Sequence, residues 1–301
     1  MGCGKIMAIV ICHFSIRDKM LTIPPVFSGC GAAFNAKENN TSCFFLDAAD
    51  KNMLLIDCGS TVFKEMASKS IVLDENQNVI GFGDTPLKPG DQLRSLFDVV
   101  DKLFVYITHT HCDHVGSLAS LMDYFQWRKA KPVMLVVEDE EMKSRLSELL
   151  LLQNSIDDKT KVAWTNVADL PKYFPEIENA ETLTLKHTTG MNSQALVLDF
   201  KQTDTFSGGL LFYTGDTSDG TAVKEFLAEN RSRIFRAYID VSTLDSSVHL
   251  NMETLGGIVA EVAPDIAHKI HCMHINDGIT YDEYQSHARK YGFSVVKNWE
   301  V

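Results

Sequence analysis

The run His109-Thr110-His111-Cys112-Asp113-His114 constrains this chain more than any other feature. It follows, after Thr108, on Leu103-Phe104-Val105-Tyr106-Ile107, a short apolar stretch of aromatic and β-branched residues that predicts a buried strand. Residues two apart on an extended chain project to one side, so His109 and His111 can converge on one cation. Asp113 and His114 then need a turn, expected before Gly116 and the helix that begins near it, which lets the second pair face a neighbouring cation. Three imidazoles and a carboxylate within six residues are hard to account for structurally, whereas together they suit Zn, Mn, Fe or Ni. The chain is therefore expected to end a core strand at a two-metal site.

Apolar runs of the same kind recur at 42–46, 53–56, 133–137, 182–185, 195–200 and 210–213 and read as strands. Segments with helical spacing lie at roughly 117–129, 139–152, 220–230, 252–262 and 281–291. Strands and helices interleave to the end, which predicts a layered α/β fold, and hairpin-like early strands point to mixed rather than purely parallel sheets. No Pro- or Ser-rich linker divides the chain, so residues 21–301 are expected to form one domain after an extension at 1–20. Turn signals around two short apolar runs in 69–91 (Asp74-Glu75-Asn76, Gly81-Phe82-Gly83-Asp84 and Lys88-Pro89-Gly90-Asp91) predict a protruding hairpin, and 202–209 reads as a plain hairpin loop.

Charge and cysteine usage narrow the partners. With 40 acidic residues against 28 basic ones, the net charge of -12 argues against long nucleic acid, whose binding gains affinity from neutralised phosphates. The seven cysteines are odd in number and scattered without CxxC spacing, which fits a reducing compartment and predicts a cytoplasmic protein. The opening MGCGKIMAIVIC has one Lys before an apolar run that stops at His13, with no small-residue cleavage site, and Ile6 stands where a myristoylation signal wants Ser or Thr. It reads as an untargeted extension. No apolar stretch reaches the roughly 20 residues of a spanning helix, so no membrane partner is expected.

The His109–His114 run matches the HxHxDH signature of the metallo-β-lactamase superfamily, and four further motifs resemble that family's in the same order. Leu54-Leu55-Ile56-Asp57-Cys58-Gly59 looks like its strand ending in Asp and Gly; His187 ends a strand before Gly190; Tyr213-Thr214-Gly215-Asp216-Thr217 looks like its acidic motif. Ile270-His271-Cys272-Met273-His274-Ile275-Asn276 ends a late strand in a His, with His271 a rival to His274 on the same strand. The resemblance implies an αββα sandwich of two mixed sheets flanked by helices. It implies His109, His111 and His187 as ligands of one metal, Asp113, His114 and His274 as ligands of the other, and Asp216 as the bridge. Two such metals can hold a hydroxide between them at neutral pH and neutralise charge on a phosphoryl or acyl oxygen. In this pattern Asp57 is not a ligand but holds a ligand imidazole through its outward ring nitrogen, and Asp113 can also orient the nucleophile.

The choice of substrate rests on finer likenesses. Val26-Phe27-Ser28-Gly29-Cys30-Gly31-Ala32-Ala33-Phe34 resembles the opening strand and glycine turn of tRNA 3′-processing endonucleases, with Cys30 where Thr is usual. Ser247-Val248-His249 resembles the His before a helix in the phosphodiesterase branch, making His249 a candidate proton donor that Asp240 could orient or charge. Only 28 residues separate His187 from Asp216, too few for the long tRNA-binding arm common in the tRNA-processing group. The chain is therefore most similar to cyclic-nucleotide phosphodiesterases of the anti-Pycsar kind. That resemblance implies two divalent ions, zinc or else manganese, a small cyclic nucleotide as substrate, and a homodimer in which a segment such as 69–91 covers the site as lid or dimer element. The alternatives are a tRNA-processing-like endoribonuclease, a lactone or thioester hydrolase, and a metal-stabilised protein that only sequesters its ligand.

Overall fold

The structure, a computed structural model, describes residues 21–47, 50–73, 79–84, 94–131, 133–153, 162–204 and 206–300. The extension at 1–20, with Cys3, Cys12 and the MGC opening, lies outside the described residues, as do parts of the 69–91 segment.

Two six-stranded sheets form the body. The first runs in the order β1 (Val26–Gly29), β2 (Ser42–Asp47), β3 (Asn52–Ile56), β7 (Lys102–Tyr106), β8 (Val133–Val137), β9 (Val162–Asn166). The second follows chain order: β10 (Ile177–Thr188), β11 (Met191–Phe200), β12 (Gly209–Tyr213), β13 (Ile234–Asp240), β14 (Ile270–Met273), β15 (Ser294–Val295). Each sheet starts with antiparallel pairs and continues with parallel ones, so both are mixed, as expected.

Burial on both faces explains why the central strands read as unbroken apolar runs. Along β3 and β7, Leu54, Ile56, Phe104 and Tyr106 point into the core shared with the second sheet, while Met53, Leu55, Leu103 and Val105 point outward. The outer layer there comes from α1 (Val62–Ala67), α2 (Leu96–Val99), α4 (Leu118–Tyr124) and α5 (Glu140–Leu152). Over the second sheet lie α6 (Gly220–Asn230), α7 (Met252–Val262) and α8 (Tyr281–Arg289), capped by side chains of Asp219, Asn251 and Thr280. The result is the expected αββα sandwich. Among the described residues no helix is long and apolar enough to cross a membrane.

Several elements differ from the sequence reading. The segment 117–129 is not one α-helix: α4 passes into a π-helical stretch, Phe125–Lys129, ended by Ala130 at φ 51°. The hairpin strand β10 has 12 residues, far longer than 182–185, because its polar half is exposed and shows no apolar run. The edge strand β9, only partly buried, had no signal strong enough to mark it. In the 69–91 segment, β4 (Lys69–Leu73) and β5 (Val79–Asp84) pair antiparallel and join β6 (Arg94–Ser95) in a small third sheet. Its base packs on the body through buried Ile71 and through Phe82, whose ring meets Phe44 and Trp299.

Candidate metal centre

All the ligand-type residues sit where strands of the two sheets end, so two independently built edges face each other across one site. From the first sheet, β7 delivers Ile107, Thr108 and His109, and the chain turns at His111 into a short helix, α3 (Cys112–Val115). Asp113 and His114 therefore lie inside this helix, not in a turn ahead of one beginning near Gly116. The helix is held by the loop after β3: Cys58 N–H donates to the His114 carbonyl at 2.6 Å, and Ser117 N–H donates to the Cys58 carbonyl at 3.0 Å. That approach needs Gly59, since a Cβ there would stand 1.9 Å from the Asp113 carbonyl oxygen.

The second sheet supplies His187 from the end of β10, Asp216 from the loop after β12, and His274 at the end of β14. Gly215 takes φ 60° and presses on Ser193 and Thr108, a position no side chain could share. His274 itself takes φ 64°, which turns the chain out of β14.

The ligand atoms of the motif residues fall into two clusters that share Asp216, and a third group, Asp216, Asp240, His249 and His274, overlaps the second. In the first, His111 Nδ1 lies 3.1 Å from both His109 Nε2 and His187 Nε2, and Asp216 Oδ2 lies 3.9 and 3.7 Å from those same nitrogens. In the second, Asp216 Oδ1 lies 3.0 Å from His114 Nε2 and 3.3 Å from His274 Nε2, while Asp113 Oδ2 is 3.5 and 3.2 Å from them. One carboxylate thus offers one oxygen to each cluster.

The residues fit divalent cations on the chemistry of their donors. His114 Nε2 and Asp216 Oδ1 are buried and make no hydrogen bond, an arrangement costly for polar atoms unless something else satisfies them. The outward ring nitrogens of three of the histidines are engaged, as those of metal-binding histidines usually are. His114 Nδ1 is 2.8 Å from Asp57 Oδ2, His187 Nδ1 is 2.9 Å from the Val248 carbonyl, and His109 Nδ1 is 3.1 Å from Thr108 Oγ1. Fully buried Asp57, at φ 62°, also accepts from the Thr108 backbone N–H and hydroxyl.

Electrostatics differ across the site. Burial, together with neighbouring imidazoles, holds His109 well below the usual histidine range and lowers His187. Burial opposes charge on His114 and His274 too, but there the carboxylates win: Asp216 and Asp57 raise His114, and Asp216, Asp113 and Asp240 push His274 up to about 10. Against the penalty of burial, the same histidines hold Asp216 and Asp113 well below the carboxylate range.

Beside the clusters stands the predicted pair. His249 Nδ1 is 2.8 Å from Asp240 Oδ2, and burial of the imidazole is outweighed by Asp240, so its pKa is raised. Asp240 reaches two ways, its Oδ1 lying 3.4 Å from His274 Nδ1, and the backbone N–H of Thr217 fixes its Oδ2 at 2.8 Å. His271, the rival to His274, is not in the site: its Nε2 is 3.2 Å from Arg236 and its ring packs on Tyr238. Thr108 was missed by sequence reasoning, although its place between the strand and His109 was a usable signal. His111, His187, Asp216, Asp113, His274 and His249 line one cavity of about 380 Å³ with Ala32, Ala33, Phe34, Val248 and Asn276.

Fold and site together define a metal-dependent hydrolase on the metallo-β-lactamase fold. Residues 94–300 match the family of the anti-Pycsar protein Apyc1, and the chain belongs to that family. Among solved structures it is similar to the metallo-β-lactamase fold protein YhfI from Bacillus subtilis, at 16% identity and a TM-score of 0.61, covering 94% of this chain and 98% of that one. Human tRNase Z, short form, shares 13% identity at a TM-score of 0.56 over 93% of this chain and 98% of its own. Unliganded yeast PDE1 shares 12% at 0.56 over 91% and 98%. No curated protein sequence matches the chain at a significant level.

Proposed function

We propose that this protein is a dinuclear metal phosphodiesterase that opens small cyclic nucleotides. The observation that carries the reading is the single cavity that ends on both clusters and on His249: its volume of about 380 Å³ suits one nucleotide and not a folded RNA. Membership in the anti-Pycsar family supports a cyclic mononucleotide signal as substrate. So do the 28 residues between His187 and Asp216, which β11, β12 and their turns use up without leaving an RNA-binding arm.

His109, His111, His187 and Asp216 would hold one cation, and Asp113, His114, His274 and Asp216 the other; zinc suits these nitrogen and oxygen donors. Two divalent cations held there would supply Lewis acidity toward the phosphate and a water that ionises near neutral pH. The chain's own residues do the rest. Asp113, which lines the cavity, orients the attacking water. Water adds to phosphorus, one ester P–O bond of the ring breaks, and the departing ribose oxygen takes a proton to give a linear nucleoside monophosphate. His249 supplies that proton: Nδ1–H donates to Asp240, whose charge raises the pKa of the ring, and Nε2–H is left for the leaving oxygen. A cytoplasmic homodimer completes the proposal.

A hydrolysis panel tests it, with 3′,5′-cyclic mononucleotides, cyclic dinucleotides, a chromogenic linear diester, a lactone and a pre-tRNA offered to wild type and to His109→Ala/His111→Ala. Opening of cyclic mononucleotides that the double variant abolishes is expected. Cleavage of pre-tRNA with no cyclic nucleotide turned over would replace the reading with the endoribonuclease one.

A further inference from the structure

Resting on that reading, we infer that Phe34 is the stacking platform for the nucleobase of the substrate. Five large hydrophobic side chains are exposed among the described residues: Phe34, Trp127, Leu151, Leu152 and Leu244. Of these, Phe34 alone lines the cavity that ends on the two metal clusters, and it is 84% exposed. A ring left in water at the mouth of a polar site contributes nothing to the core.

The loop that carries the ring is fixed. Ala32 N–H and Asn35 Nδ2–H both donate to the Ile275 carbonyl at 3.0 Å, and Ile275 N–H donates to the Cys30 carbonyl at 2.7 Å. Asn35 Oδ1 accepts from the backbone N–H of Lys37 and Glu38, and Gly31 bonds to Asn39 and Thr41 across the loop. Ile275 directly follows His274, so the loop holding Phe34 is tied to the residue next to a proposed metal ligand. The ring is thereby placed in advance relative to the phosphate end of the cavity, and binding spends little on ordering it.

The cavity is accordingly mixed. Its lining combines imidazoles and carboxylates, matched to cations and a phosphate, with the apolar Ala32, Ala33, Phe34 and Val248 and the polar Thr188, Ser242 and Asn276. A cyclic nucleotide has the same mixture, an anionic phosphate ring at one end and a flat aromatic base at the other. A phenyl ring reads the face of a base and not its edge, so every base is accepted and purines, with more area, are preferred.

The test uses metal-loaded wild type, Phe34→Ala, Phe34→Leu and Phe34→Trp. Adenosine 5′-monophosphate binding is titrated by calorimetry, and kcat and KM are measured for 3′,5′-cyclic AMP and for the abasic ribose 3′,5′-cyclic phosphate. Base stacking predicts that Phe34→Ala and Phe34→Leu each weaken AMP binding by roughly tenfold and lower the preference for cyclic AMP over the abasic ring by a similar factor, mainly through KM. Phe34→Trp should restore both, with indole fluorescence quenched on binding AMP. Unchanged AMP affinity in Phe34→Ala would overturn the inference, as would full rescue by Phe34→Leu, or an equal loss on cyclic AMP and the abasic ring. A loss of AMP affinity that tracks a shift from dimer to monomer in ultracentrifugation would overturn it too, assigning the ring to a subunit contact. The AMP titration decides the stacking even if no cyclic nucleotide is turned over, so this inference and the proposed substrate can fail separately.

Discussion

The two clusters share a carboxylate and little else. The first is a ring of imidazoles, His109, His111 and His187, and its outward contacts are to neutral groups, the Thr108 hydroxyl and the Val248 carbonyl. In the second, His114 is backed by Asp57 and His274 by Asp240, and Asp113 adds a charge of its own. A carboxylate behind an imidazole raises its basicity and fixes its tautomer. The second cluster is thus the stronger electrostatic trap, and the first presents weaker donors to the more open side of the cavity, where His111 is only partly buried. Two cations bound there would be held unequally, which suits a site where one fixes the substrate and the other responds to it.

The most severe way to break this comparison is to remove what the clusters share. Asp216→Ala takes an oxygen from each, so both cations should be lost together and turnover should fall by roughly 10³-fold or more, measured as metal content by mass spectrometry beside kcat. His249→Ala separates the clusters from the proton donor: turnover of a cyclic nucleotide should fall by about 10²–10³-fold with metal content intact, and by far less on a diester with a p-nitrophenolate leaving group, which needs no proton. Retained activity on the cyclic substrate would remove His249 from the mechanism.

Asp57→Asn sharpens the asymmetry. Loss of the charge behind His114 should weaken metal binding at the second cluster by roughly 10–100-fold while the first changes less, read by competition with a chelator of known affinity. Equal weakening at both would show the clusters to be one coupled unit. The smallest effect expected is protonic. His109 and His187 lie below the ordinary histidine range, so they are neutral at pH 7 and a cation entering the first cluster displaces no proton from them. His114 and His274 are raised, His274 to about 10, so a cation entering the second cluster must expel protons. Affinity at the second cluster should therefore rise with pH between 7 and 9 while that of the first stays nearly level, and calorimetry in buffers of differing ionisation enthalpy will count the protons released.

How much of this was legible beforehand follows from what each residue had to say locally. The His109–His114 run announced itself because four ligand-type side chains crowd six positions, and β3, β7 and β8 did so because strands buried on both faces show as apolar runs. The division of ligands between clusters came only from family resemblance; spacing left His271 and His274 equal until the turn at φ 64° sent His274 into the site and left His271 beside Arg236. The short helix α3 was misplaced because its four residues are held by the loop at Cys58 and Gly59 and carry no periodicity of their own. Thr108 and Phe34 went unassigned for a related reason: their roles depend on partners, Asp57 and Ile275, distant in sequence.

Each cluster draws on both sheets: His109, His111, Asp113 and His114 come from the edge of the first, and His187, Asp216 and His274 from the edge of the second. A cation in either cluster therefore acts as a rivet through the sandwich, and the free energy of its binding adds to the cohesion of the two halves. Chelation should do more than silence the enzyme. It should unpin the rim where the sheets meet, lowering the melting temperature and hastening amide exchange first at Thr108 and Thr214, while the distant ends of the same strands stay closed.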